Sequence, residues 1–333
     1  MLKGVGIGVL IFLAGIGHIF GEDRQVFERI NLSKSGEQAD MFTFPDGKIS
    51  GNGRYIVFDS PSTNLDVPNP GRFTQIYLRY IQKKSMRQII LTPKGKIPND
   101  SSYKPQISSD GRYVVFCSAA TNLFKDDVPR KEFPWYAQVY RLEVATKKLE
   151  VVSVDETGRV SDRDSCEASG ATTRSPIHMS ADGRFVVFTS RAQNWAPNPS
   201  HFYQIYLKDM ATGKLTLVTT EADGKPYDRA STNPIVSNNG QTVFFTAQYV
   251  KYDADRVYAK NLVTGETEVL SISEQGELLS YAYLRGASHD GRYVIFSYVG
   301  KLNPDQKTHI GLYLRDRVSK KTDLVSTDAQ GKP

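Results

Sequence analysis

Few residues in this chain have the chemistry for catalysis or metal binding, and their spacing decides what they can do. The five histidines are His18, His178, His201, His289 and His309. None pairs with a cysteine or a carboxylate at a metal-ligand spacing. No Gly-x-Ser-x-Gly elbow presents a nucleophilic serine. Asp162 and Asp164 in "SDRDS" (161–165) offer two carboxylates to a cation, but the same stretch reads as a flexible polar loop. The sequence therefore predicts no catalytic residue, no metal site and no cofactor. Cys117 and Cys166 are an even pair, which suits one disulfide in an exported chain and equally suits two separate thiols.

Recognition chemistry is better represented. Trp135 and Tyr136 close the segment "AATNLFKDDVPRKEFPWYA" (119–137). Arg163 lies in "DETGRVSDRDSCEASGATTRS" (155–175), and Trp195, His201 and Tyr203 follow in "NWAPNPSHFY" (194–203). Aromatic side chains with arginine nearby are the usual currency of binding surfaces. The same rings could instead pack these loops onto the body of the protein. These six residues are the candidate ligand- or partner-binding set.

The elements that would position them come from a repeat. "SSDGRYVVFCS" (108–118) returns as "SADGRFVVFTS" (180–190) and "SHDGRYVIFSY" (288–298), and more loosely as "SGNGRYIVFDS" (50–60) and "SNNGQTVFFTA" (237–247). Its glycines, Gly53, Gly111, Gly183, Gly240 and Gly291, are 58, 72, 57 and 51 residues apart. Such a period marks stacked or radial units. In each unit a short apolar stretch leads to Asp-Gly or Asn-Gly, a strong hairpin signal. A nearly continuous apolar strand follows, implying burial on both faces. After a variable loop come a third strand, such as "QIYLRY" or "QIYLKD", a tight turn such as "ATGK", and a fourth strand such as "KLTLVTT". A four-stranded sheet that is apolar on both faces is covered only by neighbours of its own kind. The predicted fold is thus an all-β propeller of four-stranded antiparallel blades. Asp110, Asp182 and Asp290 read as turn formers, and Arg112, Arg184 and Arg292 as braces for those turns.

Five complete blades are expected, near 45–92, 103–155, 174–220, 231–273 and 282–327. "VFERINLS" (26–33) resembles an orphan fourth strand ahead of them. The ending "TDAQGKP" matches "EADGKP" (221–226), which leads into a blade. One account is a chain truncated before a sixth or later blade. The other is a five-blade ring with an extra strand on an edge. Short stereotyped turns fall on one face of such a propeller, and the long variable segments gather on the other. Residues lining the axis, from the first strands, read as mostly small, apolar or amide, which favours binding over catalysis.

The first 21 residues have the form of a signal peptide: Lys3, an apolar run to Phe20, then "GEDRQ". Cleavage after Gly21 would leave residues 22–333 as the propeller domain. An uncleaved anchor is the alternative, and the only membrane attachment expected. Either way the chain is exported, to the periplasm or beyond the cell. Its charge of +6 is spread among acidic residues, which suits a solvated surface and not a nucleic-acid patch.

The string "ISSDGRYVVFCSAATNL…QVYRLEVATKKLEVVSVDETGR", with "TNL" at Thr63 and Thr121, "QNW" at Gln193, and "KD" or "RD" at Lys208 and Arg315, resembles the TolB-type, WD-like propeller repeat of bacterial exported proteins. The resemblance covers nearly everything after Phe44. It implies a non-catalytic binding or scaffold module for a protein, peptide or envelope glycan. The alternative it implies is the propeller domain of an exported hydrolase or polysaccharide lyase whose catalytic part lies elsewhere or is unrecognised. TolB carries an α/β domain before its propeller, for which residues 22–43 leave no room. The loops after "NL" lack the acidic run seen in many relatives, so calcium is not implied.

Overall fold

The computed structural model describes residues 28–45, 47–123, 136–166, 176–196, 201–249, 254–273, 275–300 and 309–327. Five four-stranded antiparallel sheets follow one another in chain order, and no α-helix occurs among the described residues. Blade one is β1 (Lys48–Ile49), β2 (Tyr55–Ser60), β3 (Gln75–Tyr80) and β4 (Ser85–Gln88). Blade two is β5 (Ser102–Ile107), β6 (Tyr113–Ser118), β7 (Gln138–Glu143) and β8 (Leu149–Val151). Blade three is β9 (Ile177–Met179), β10 (Phe185–Ser190), β11 (Gln204–Asp209) and β12 (Leu215–Leu217). Blade four is β13 (Ser231–Val236), β14 (Thr242–Tyr249), β15 (Ala254–Asn261) and β16 (Thr267–Val269). Blade five is β17 (Ala282–Ala287), β18 (Tyr293–Gly300), β19 (His309–Asp316) and β20 (Lys321–Leu324). The first strand of each blade is innermost, beside the first strands of its neighbours.

The repeated phrase is the turn joining the two inner strands of each blade. In blade two the Ser108 hydroxyl donates to Asp110 Oδ1 and accepts from the Tyr113 N–H, while Asp110 Oδ1 also accepts from the Arg112 N–H. Ser180 with Asp182, Ser288 with Asp290, Ser50 with Asn52 and Ser237 with Asn239 make the same set. The aspartates are thus consumed by the turn. Arg112, Arg184 and Arg292 reach across to Glu143, Asp209 and Asp316 at the ends of the third strands. Hydrogen bonds from Arg184 and Arg292 hold Asp209 and Asp316 well below the usual carboxylate range.

Blades are seated on one another through the same turn. Gly111 lies on the Tyr55 ring of the blade before it, Gly183 on Tyr113, Gly240 on Phe185 and Gly291 on Phe244. Alongside runs a relay of hydrogen bonds: Asn52 N–H to Ser109 O, Ser109 N–H to Ala181 O, Ala181 N–H to Asn238 Oδ1, and Asn238 N–H to His289 O. Among the described residues the series does not close on itself. Gly53 of blade one has no ring against it, and Tyr293 of blade five remains 37% exposed. Ile295 and Leu312 of blade five are 37% and 41% exposed, whereas their counterparts Val57, Val115, Val187 and Phe244, and Ile76, Val139, Ile205 and Val257, are all at 0%. One apolar face of blade five is therefore uncovered.

The expected N-terminal fourth strand has no ladder. Among its described residues, Leu32 makes only an isolated bridge, to Gln38. Ile30 instead packs into the core of blade one with Phe58, Leu65 and Tyr77. That bridge belongs to a hairpin repeated after blades two, three and four, as Val154–Val160, Thr220–Pro226 and Ile272–Leu278.

Cys117 of β6 is bonded to Cys166, in the linker between blades two and three, with Cα atoms 6.1 Å apart. Both sulfurs lie in a core that also holds Val186, Phe188 and Tyr206 of blade three. The bond closes a loop with a sequence separation of 49. The Cys117→Ala/Cys166→Ala double variant is expected to lose about 4 kcal/mol of unfolding free energy in denaturant titrations. A loss below about 1 kcal/mol would show that packing alone holds the linker. Gly183 has φ of +73° and a Cβ there would sit 2.6 Å from the Tyr113 ring, whereas Gly213, at φ +77°, has nothing within 4 Å. Gly213→Ala should cost about 1–2 kcal/mol, the left-handed penalty alone. Gly183→Ala should cost about 3 kcal/mol or more, because the overlap adds to it.

Candidate functional site

The "TNL" signature fixes the loops that carry the candidate residues. Asn64 Oδ1 accepts from the Asp40 N–H and its amide donates to Gln38 O. Asn122 Oδ1 accepts from the Asn99 N–H. Asn194 of "QNW" donates to Val160 O, and Asp162 Oδ1 accepts from the Gln193 N–H. Each asparagine thereby ties the loop between second and third strands to the preceding linker. The residue after it is driven inward: Leu65 is 1% exposed and Leu123 4%. Trp195 holds the same position. Its ring meets Phe188 and Tyr206 edge-on, at 6.2 and 5.2 Å, and its Nε1–H donates to Arg159 O at 3.0 Å. It anchors the loop and does not line the pocket beside it.

Four of the other five candidates come together. Tyr136, Arg163 and His201 line a rim pocket of about 220 Å³ with Asp164, Arg191 and Gln193. Tyr203 adjoins it, its ring 4.4 Å from the Arg191 guanidinium. Trp135 lies outside the described residues. Three segments meet here: the loop of blade two, the linker, and the loop of blade three. Arg163 stands 5.7 Å over the Tyr136 ring, so each arginine is paired with a tyrosine face. Arg163 also donates to Asp162 O and lies 3.9 Å from the Asp162 carboxylate. His201, at φ +56°, contacts the Gln193 amide through Nδ1. Burial raises the Asp164 carboxyl above its ordinary value, against the Ala137 N–H and the Arg191 charge. Arg191 and Gln193 had no place in the sequence-based set, although both belong to the recognisable "RAQNW" loop.

Neither Asp162 nor Asp164 is arranged as a cation ligand. Asp162 receives the Gln193 N–H and Asp164 the Ala137 N–H, and no group of three or more His, Cys, Asp or Glu clusters among the described residues.

A second cavity, of about 160 Å³, lies on the axis between the inner strands. Most of its wall is apolar or amide, as expected, but Lys48, Lys104, His178 and Arg285 also line it. The residue two before the phrase's serine occupies one register position in every blade: Lys48, Gln106, His178, Ile235 and Gly286. His178 Nδ1 accepts from the Val236 N–H at 3.4 Å. Burial, with His289 and Lys48 nearby, pushes its pKa down to about 4. The unfolded state, with an ordinary histidine, then binds a proton first. Stability should fall as pH drops from about 6.5 to about 4 and level off below that, by about 2 kcal/mol after discounting partial exposure. Denaturant midpoints of the wild type and His178→Gln across that range check this, since the variant should lose that part of the slope.

No family model and no curated protein matches the sequence. Solved structures do resemble the fold. The β-propeller domain of the Trilobed protease from Pyrococcus furiosus aligns with TM-score 0.52 and 14% identity, over 86% of this chain and 71% of that one. An oligogalacturonate lyase in complex with manganese aligns with TM-score 0.52 and 13% identity, over 91% and 69%. TolB from Acinetobacter baumannii aligns with TM-score 0.49 and 14% identity, over 93% of this chain, which spans 59% of TolB's length. At these identities the likeness is one of fold. The chain is an all-β propeller built of four-stranded antiparallel blades.

Proposed function

We propose that the chain is an exported, non-catalytic binding module whose rim between blades two and three takes an acidic group of a protein, peptide or envelope glycan. The observation that carries this reading is the rim pocket, where Arg163 and Arg191, each against a tyrosine ring, flank His201 and Gln193. Guanidinium groups backed by aromatic faces are held ready for a carboxylate with little rotamer freedom left to lose. The loops that carry them are pinned by Asn194 and Trp195, so the pocket is preformed. Export is supported by the apolar leader sequence before Gly21 and by the bonded cysteine pair.

Fluorescent poly-glutamate, alginate and poly-lysine serve as probes of charge preference. The acidic probes should bind and poly-lysine should not. The Arg163→Ala/Arg191→Ala variant should weaken acidic binding by about tenfold or more while moving the thermal midpoint by about 2 °C or less. Unchanged binding in that variant would overturn the reading. Trp195→Ala should act differently, costing about 2–3 kcal/mol of stability through its lost core contacts.

A further inference from the structure

The rim pocket holds charges of both signs, and, given the reading of the rim as an acid-binding site, they narrow its ligand. Arg191 and Asp164 both line it. They are not paired with each other. The Arg191 guanidinium lies 4.4 Å from the centre of the Tyr203 ring, and Asp164 Oδ1 accepts from the Ala137 N–H at 2.9 Å. Among the described residues no hydrogen bond reaches Asp164 Oδ2 or the Arg191 guanidinium, and neither group is sealed beneath other atoms. Burial raises the Asp164 carboxyl above its ordinary value even though the Ala137 N–H and the Arg191 charge act the other way. The carboxylate is thus short of a cation that touches it.

Arg163 supplies a second cationic position. It lies 5.7 Å over the Tyr136 ring, one nitrogen donates to Asp162 O, and the Asp162 carboxylate stands off at 3.9 Å. The pocket therefore offers two guanidinium groups and one open carboxylate oxygen. A ligand with carboxylates alone would answer the arginines and set a like charge against Asp164. A simple amine would answer Asp164 and meet two arginines. A neutral amino acid would satisfy Asp164 and one arginine and leave the other to water. Two carboxylates with one ammonium on a short frame match all three groups.

We propose that the rim pocket binds an acidic α-amino acid, its two carboxylates held by Arg191 and Arg163 and its ammonium donating to Asp164 Oδ2. The size agrees. The pocket is about 220 Å³, below the range of about 300–1,000 Å³ that holds drug-sized ligands. Asp164 is then a specificity residue: it admits the free ammonium and opposes acids that lack one.

L-Glutamate, N-acetyl-L-glutamate and L-alanine test the three positions by titration calorimetry on the full chain, at low salt so that screening is small. Glutamate should bind. N-acetylglutamate keeps both acids but has no ammonium, and should bind about tenfold more weakly or worse. Alanine has one carboxylate and should be weaker by a similar factor. Asp164→Asn retains an acceptor for the Ala137 N–H and should bring glutamate down to the affinity of N-acetylglutamate. A merely structural role for Asp164 would weaken both ligands alike. Arg191→Gln should weaken both by about tenfold or more. The comparison of ligands on the wild type stands even if a variant fails to fold. Equal affinity for glutamate and N-acetylglutamate overturns the proposal and leaves the acid-binding rim intact, as does binding of poly-glutamate without binding of glutamate. Failure of glutamate and poly-glutamate together overturns both. A preference for glutamate that persists in Asp164→Asn overturns the role given to Asp164, and equal affinity for alanine and glutamate overturns that given to Arg163.

Discussion

A sheet whose second and third strands are apolar on both sides cannot stand alone in water. Val57, Val115, Val187 and Phe244 have no accessible surface only because another blade lies over each of them. The seat is set by a glycine in one turn lying on an aromatic ring of the blade before, with a backbone hydrogen bond beside it. Each blade is therefore positioned by its predecessor, and the contacts are of nearest neighbours throughout. Both candidate sites inherit their geometry from that seating. A pocket assembled from two blades and a linker would have no fixed shape if the blades could slide.

The two sites draw on different parts of the repeat. The rim uses what varies: loop length, the linker between blades two and three, and the side chains that the asparagine tie leaves free. The axis uses what recurs, one register position per blade, and its character comes from the departures Lys48 and His178. A residue that breaks the pattern at a recurring position is thus as informative as a conspicuous loop. Rigidity also differs. Loops at the rim rest on a few side-chain hydrogen bonds to the preceding linker, whereas the axial wall is backbone held in ladders on its outer side.

The fold was legible because a turn signal repeated five times leaves little freedom in strand order. Asp-Gly, the apolar strand and the Thr-Gly turn are local, and local chemistry survives into the structure. That the candidate residues lie near one another was legible in part. Tyr136, Arg163, His201 and Tyr203 stand out in the sequence as aromatics and cations in long segments, and topology alone brings those segments together. Trp195 draws attention by type, and its half-buried ring packs on Phe188 and Tyr206. Its alignment with Leu65 and Leu123 was the better signal, since the shared position is a core position. Arg191 was passed over because it follows a strand and precedes the recognisable motif. The axial lysines escaped for another reason. Lys104 reaches the channel through an irregular register, which alternation cannot predict. The disulfide could not be decided, because a separation of 49 residues says nothing about distance until the linker is seen to fold back.

Burial of the bonded sulfurs restricts access to them. Cys117 belongs to a strand of blade two, Cys166 arrives after the whole of that blade, and side chains of blade three then cover both. Oxidation has a window that opens when the linker folds back and shuts when Val186 and Phe188 close over it. A chain that packs its third blade too early traps two thiols in a place no oxidant reaches. A chain oxidised in time holds its bond where no reductant reaches without prising two blades apart.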